Sequence, residues 1–330
     1  MNGIICIYKE KGYTSFDVVA ILRKLCGTKK IGHGGTLDPM AEGVLPVFVG
    51  YATKAVDYCP DTSKEYRAEM RFGVTTDTQD ITGKVLTTSD IQVGRNAQYV
   101  LEQRFKGEQM QLPPMYSAVQ VNGQRLYDLA RQGVEVERKP RPITVHSIQF
   151  EQFENNTATA VISCSKGTYI RTLIHDMGQV TGAGAVMTAL TRTRSGNFTL
   201  KDCYRLSDVK EAYEKGGTEA VKKLLMPVEW IYKSFPRALL DEEQTRLFSN
   251  GVVLDAKRVA FEAEGAEKYR VVSPDGELLA LAEIGENKEL NVIQRFKVFR
   301  EKIKSASEEP LVEPKNGLRD ISDLKGVTLS

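Results

Sequence analysis

Residues 32–46 read GHGGTLDPMAEGVLP, with four glycines, two prolines and one histidine around Asp38. Glycine and proline at that density break both the helical and the strand repeat, so the stretch is a loop. Its neighbours fix where it sits. Upstream, GIICIY suits a short buried strand and TSFDVVAILRKLCG reads as a helix: Thr14 and Asp17 have capping-box spacing, Val18, Leu22 and Leu25 share one face, and Gly27 is placed to end it. Downstream, VLPVFVG reads as a second strand. The Asp38 carboxylate is therefore held on a turn between two ordered elements.

The rest of the chain alternates strand and helix signals. In YRAEMRFG, Tyr66, Ala68, Met70 and Phe72 point one way and Arg67, Glu69 and Arg71 the other, a strand with one buried face. Residues 97–105 look helical, and the Asn-Gly pair at 122–123 marks a tight turn before RLYDLARQG. ITVHSIQF and ATAVISCS form a hairpin around Asn155 and Asn156. GTYIRTLIHDMGQVTG is a helix with Ile170, Ile174 and Met177 on one stripe and Gly182 beyond its end, and AVMTALTRTRSG is another strand. Such a series, joined largely by hairpins, predicts an α+β fold with a mixed, mostly antiparallel sheet flanked by helices. Two prolines in MPVEWIYKSFPRALL mark a boundary, giving a domain over 1–230 and a small β domain over 231–300. Residues 301–330 are polar with little periodicity and read as a disordered tail.

Composition removes several kinds of chemistry. The five cysteines contain no C-x-x-C pair and the three histidines have no ligand spacing, so neither a disulfide framework nor a bound metal is expected. There is no G-x-x-x-x-G-K-[ST] loop and no G-x-S-x-G elbow. No apolar stretch is long enough to span a bilayer and no secretory signal opens the chain, so a soluble, cytoplasmic protein is expected. Net charge is only +2, but residues 1–54 carry seven lysines and arginines against four acids. A second basic cluster, Arg192, Arg194, Lys201 and Arg205, faces Asp202 alone. Basic segments flanking a glycine-rich loop point to a phosphate-bearing ligand, although such runs are more often solvated faces.

Four motifs, GHGGTLDPMAEGVLPVFVGYATK, SKEYRAEMRFGVTTDTQDITG, PPMYSAVQVNGQRLYDLARQG and CSKGTYIRTLIHDMG, follow one another along the chain. Together they resemble the successive motifs of the TruB-type tRNA pseudouridine synthases, and the C-terminal part resembles the PUA-like RNA-binding module. The resemblance implies an enzyme that needs no cofactor and no obligate protein partner, isomerising the T-loop uridine of tRNA (position 55) to pseudouridine. It implies Asp38 as the catalytic acid, either attacking the ribose C1′ or removing the C2′ proton. It also implies Arg171 as the paired cation, the loop's backbone donors helping to keep the acid ionised. Tyr66 matches the active-site tyrosine, although by pattern alone it reads as a core aromatic. Leu190 matches the apolar contact to the base, Tyr169 and Lys54 match positions lining the site, and His33 matches the residue that fills the space of an extruded base. Residues 113–142 resemble an inserted arm against the RNA, whose deletion is expected to weaken binding and leave Asp38 in place. The C-terminal module would steady the tRNA near its acceptor end. A non-catalytic RNA-folding protein and a guide-dependent synthase acting on ribosomal RNA are the alternatives.

Overall fold

The first strand, β1 (Gly3–Lys9), is buried along its whole length because both of its faces are covered. Ile5 and Ile7 share a core with Val18, Leu22 and Leu25 of α1 (Ser15–Leu25), whereas Ile4, Cys6 and Tyr8 on the other face belong to a second core that extends to Val272, Leu278 and Leu281. The computed structural model describes residues 1–121 and 123–296, so the tail expected over 301–330 lies outside the described residues. Thr14 and Asp17 form the expected reciprocal cap at the start of α1, and Gly27 follows its end with φ 61°.

After α1 come β2 (Ile31–His33), β3 (Glu42–Val49), a 3-10 segment (Gly50–Tyr58) and β4 (Lys64–Phe72). The hairpin β5 (Val74–Thr76) and β6 (Val85–Thr88) leads to α2 (Asn96–Phe105) and β7 (Gly107–Gln111). A short pair, β8 (Gln120–Val121) and β9 (Gln124–Arg125), precedes α3 (Leu126–Arg131). Then β10 (Arg141–Glu154) and β11 (Thr157–Cys164) form the predicted hairpin, turning on Asn155 and Asn156, both at positive φ. They are followed by α4 (Ile170–Thr181), β12 (Ala185–Ser195), β13 (Phe198–Thr199), β14 (Cys203–Tyr204) and α5 (Leu206–Lys222), a helix interrupted at Gly216 and Gly217.

The main sheet has the order β14-β1-β3-β12-β4-β11-β10-β7, with β2 beside β3 and β13 beside β12. Its pairs are antiparallel except β1–β14 and β3–β12, so it is mixed and mostly antiparallel. Hairpins do not make all of it: β12 crosses over to lie between β3 and β4, joining the Asp38 loop to the strand that carries Tyr66. Leu173, Ile174 and Met177 of α4 and Leu101 and Phe105 of α2 cover the β4–β12 face with Ala68, Met70 and Phe72.

A second, six-stranded sheet, a form that fits a PUA-like module, is built from β15 (Arg237–Leu239), β16 (Leu254–Asp255), β17 (Ala260–Phe261), β18 (Tyr269–Val272), β19 (Leu278–Ile284) and β20 (Glu289–Arg295). Between β15 and β16 runs α6 (Glu242–Ser249), capped by the Asp241 side chain, which accepts the Gln244 N–H. Residues 226–240, expected as a boundary, hold a 3-10 turn at Val228–Tyr232 and then β15.

Candidate active site

The Asp38 loop connects β2 to β3 and is pinned from three directions. Leu37, Met40 and Ala41, beside the acid, bury into the core that also holds Tyr66 and Leu190. From α1, the Ser15 hydroxyl donates to the Leu37 carbonyl at 3.2 Å and receives the Leu37 N–H at 2.9 Å. The Pro39 carbonyl accepts the Gly12 N–H at 2.8 Å and faces the Lys9 ammonium at 3.5 Å. Lys9 also donates to the Tyr13 carbonyl at 2.7 Å, and burial lowers this ammonium to about 8.

The third pin is Arg192, fully buried on β12. Its Nε donates to the Val44 carbonyl at 2.7 Å, and its terminal nitrogens reach the carbonyls of Gly35 at 3.1 Å and Thr36 at 3.3 Å. A buried guanidinium that meets carbonyls from both arms of a loop fixes the loop's shape, because each lost bond would leave a desolvated donor. Gly43 has to be glycine here: its φ is +104°, and a Cβ would sit 2.3 Å from the Arg192 carbonyl oxygen. Sequence reading had placed Arg192 only in a basic cluster. The two-residue strand repeat carried the missing signal, since Arg192 shares a strand face with the buried Leu190.

Arg171, at the start of α4, reaches Asp38 directly: Nε donates to Oδ2 at 2.8 Å. The same guanidinium donates to the Thr78 carbonyl at 2.8 Å and the Tyr116 carbonyl at 2.7 Å, while Asp80 Oδ2 lies 3.9 Å from Nε. Among the described residues no backbone N–H bonds the Asp38 carboxylate. Leu37 N–H goes to Ser15 and Ala41 N–H to the carbonyl of Asp38 itself, so the guanidinium replaces the loop donors that were expected. Asp80 was not singled out from sequence. Its Oδ1 accepts the Thr78 hydroxyl at 2.8 Å and the Thr82 N–H at 2.9 Å, which shapes the turn that presents the Thr78 carbonyl.

Tyr66 and Leu190 are brought to this centre by strand register. Tyr66 lies opposite Arg192 and Leu190 opposite Ala68 on the β4–β12 pair, all on one face. Burial raises the Tyr66 hydroxyl, while the Arg192 guanidinium beside it works in the opposite sense. Tyr169 precedes α4, its N–H and carbonyl both bonded by the Gln111 side chain at 2.8 and 3.0 Å, and burial raises its hydroxyl too. His33 ends β2 half-buried, and its Nδ1 accepts the Gly35 N–H at 3.3 Å, leaving the ring proton on Nε2. Burial and the Arg192 charge hold this imidazole below its ordinary value. Lys54 stands apart, exposed on the 3-10 segment after β3 with no hydrogen bond or ion pair to the Asp38 loop.

The 113–142 segment reaches this centre through one backbone carbonyl. The Tyr116 carbonyl accepts one of the three hydrogen bonds that Arg171 makes, the others going to Asp38 and the Thr78 carbonyl. Among the described residues no group of three or more His, Cys, Asp or Glu side chains could hold a metal, and no helix is long and apolar enough to cross a membrane.

Asp38 is half open to solvent while its cation is buried. That arrangement offers one carboxylate oxygen to a ligand, whereas the other carboxylate near Arg171, Asp80, is only 7% exposed and is held by the Thr78–Thr82 turn. A solvent-facing acid paired to a buried arginine, on a mixed sheet with a small C-terminal sheet beside it, defines a pseudouridine synthase-like protein. Solved structures agree on the fold. The chain superposes with a TM-score of 0.68 and 28% identity on a chain from a Cbf5–Nop10–Gar1 complex, covering 89% of this chain and 85% of that one. It matches an H/ACA ribonucleoprotein bound to a substrate RNA containing 2′-deoxyuridine with a TM-score of 0.67 and 26% identity, covering 90% and 85%. Residues 23–170 match the N-terminal domain of the TruB family pseudouridylate synthases, and residues 171–232 match the tRNA pseudouridylate synthase B C-terminal domain. The tRNA pseudouridine synthase B of Clostridium tetani is 42% identical over 83% of this chain and 93% of its own, and that of Levilactobacillus brevis 43% identical over 82% and 92%. The chain belongs to the TruB family of pseudouridylate synthases.

Proposed function

We propose that this protein isomerises uridine in tRNA to pseudouridine, and that its target is the T-loop uridine at position 55. The observation that carries this reading is the 2.8 Å pair between Asp38 and the buried Arg171. Isomerisation cleaves the N1–C1′ bond, turns the uracil and forms C5–C1′; C5 gives up its proton to solvent and N1 takes one up, so the composition of the nucleotide is unchanged. It needs one ionised carboxylate at the sugar, acting on C1′ or on the C2′ proton, and a ring to hold the base while it turns. Tyr66 is suited to stack on the base and take part in the late proton transfer, and Leu190 to pack against it. A uridine inside a folded loop has to leave its stack first, at a cost of about a few kcal/mol, and His33 is suited to fill the gap as a neutral ring. Residues 113–142 would lie along the T stem-loop, and the C-terminal sheet would bear on the acceptor end.

The test is tritium release from a [5-³H]uridine T-stem-loop transcript by the purified chain alone. Release by the wild type, and none by an Asp38→Asn variant that still binds the transcript, is the expected result. Binding without release by the wild type would leave an RNA-folding protein, and release only with an added guide RNA would leave a guide-dependent synthase.

A further inference from the structure

Lys64 opens β4, and its ammonium lies against the catalytic loop without a counter-ion among the described residues. A Cβ built at Gly35 would come within 3.1 Å of Lys64 Cε, 3.3 Å of its Nζ and 3.6 Å of an Arg192 nitrogen. Two cations therefore converge on the space Gly35 leaves open, three residues from Asp38. Lys64 makes no hydrogen bond or ion pair with any described residue. The nearby carboxylate of Asp61 is already taken by Arg194 at 3.2 Å and by the Ser63 N–H at 2.7 Å. Lys64 also borders a cavity of about 680 Å³ whose wall includes Gly35, Lys166, Arg141 and Tyr169. That volume suits a small ligand or part of a larger one. Burial lowers the Lys64 ammonium to about 8, with Arg192 acting in the same direction. An incompletely hydrated cation with no acid to pair with is completed by an anion.

A nucleotide whose sugar faces Asp38 carries a phosphodiester on each side of that sugar, a few bonds away. Resting on the RNA-substrate reading above, we propose that this cavity is a backbone-phosphate site: Lys64 takes a phosphodiester flanking the target uridine, with Lys166 and Arg141 at its rim. The site would position the nucleotide without reading its base.

The phosphate would raise the Lys64 proton affinity above its free value. RNA affinity is then full below about pH 8 and declines as pH rises from there through the bound value. The other charged or titratable groups around Lys64 include Arg192, Lys166, Arg141, Asp57, Asp61, Tyr169, Cys59 and Cys164, of which both thiols are held at about 11 by burial. Lys64→Arg removes the titration and keeps the charge.

The experiment measures the dissociation constant of a T-stem-loop RNA for wild type, Lys64→Met and Lys64→Arg against salt and pH. A set of RNAs carrying single methylphosphonate linkages completes it. Lys64→Met is expected to bind about tenfold more weakly with a salt slope smaller by about 1, and Lys64→Arg to keep the slope and lose the decline above pH 8. One methylphosphonate beside the target should reproduce the loss in wild type and add nothing in Lys64→Met. An unchanged salt slope in folded Lys64→Met, or additive losses at every linkage, overturns the proposal even if the RNA is converted. Competition by millimolar inorganic phosphate acting through Lys64 makes it a free-anion site and overturns it as well. A wild type that neither binds nor converts the RNA overturns this proposal together with the functional reading.

Discussion

Arg171 donates a 2.8 Å hydrogen bond to Asp38 with only 5% of the arginine side chain exposed, against 36% of the aspartate's. The cation is built into the protein and the acid is offered to the substrate. Replacing Arg171 with Met strips the carboxylate of its described partner and leaves the Thr78 and Tyr116 carbonyls unpaired. Turnover is expected to fall by about 100-fold and stability by about 1–3 kcal/mol. Arg171→Lys should recover little of either, because one ammonium cannot reproduce a planar three-way fork. Single-turnover rates and urea unfolding check both.

Asp80 acts on the same guanidinium through the Thr78–Thr82 turn, whose hydroxyl and N–H groups it accepts. In Asp80→Ala the Thr78 carbonyl is free to swing away from Arg171. The expected result is a turnover loss on the order of 10–100-fold with RNA affinity nearly unchanged, since the damage is to alignment. Separate measurement of binding and single-turnover rate tests it, and equal losses in both would contradict it.

Gly43→Ala should cost about 2–4 kcal/mol of unfolding free energy. Its Cβ would meet the Arg192 carbonyl at 2.3 Å and its φ of +104° disfavours any side chain. Arg192 would have to move to make room, carrying the Gly35, Thr36 and Val44 carbonyls with it. Activity at a temperature where the variant remains folded should fall as well.

His33 predicts an acid-side dependence. Burial, and secondarily Arg192, hold its imidazole below the ordinary 6.5, and its Nδ1 accepts the Gly35 N–H only while neutral. A basic group with a lowered folded value gives its full stability above the unfolded value, and that contribution is lost as pH falls through the folded one. Unfolding free energy should therefore fall more steeply below about pH 6.5 in wild type than in His33→Gln. Parallel curves would show that His33 does not couple to the loop's stability.

How far the sequence reached differs from element to element. The α1 cap at Thr14 and Asp17, the inward alternation of Tyr66, Ala68, Met70 and Phe72, and the stripe and glycine stop of α4 were all legible, because each follows from spacing within a few residues. The α5 helix went unread. Its Gly216–Gly217 break splits the periodic signal into two short pieces.

What the sequence determined by itself was a turn around Asp38 between buried elements and a set of motifs in family order. Local conformational preference and side-chain periodicity suffice for the first. The tertiary structure alone decided who holds that turn. Arg192 comes from a strand that crosses over to lie beside β3, Arg171 from a helix start 133 positions away, and Tyr116 from a segment that looked like a detachable arm. Their carbonyl partners carry no residue-type signature, because a backbone oxygen is the same at every position. Only the path of the chain determines which of them a buried guanidinium meets.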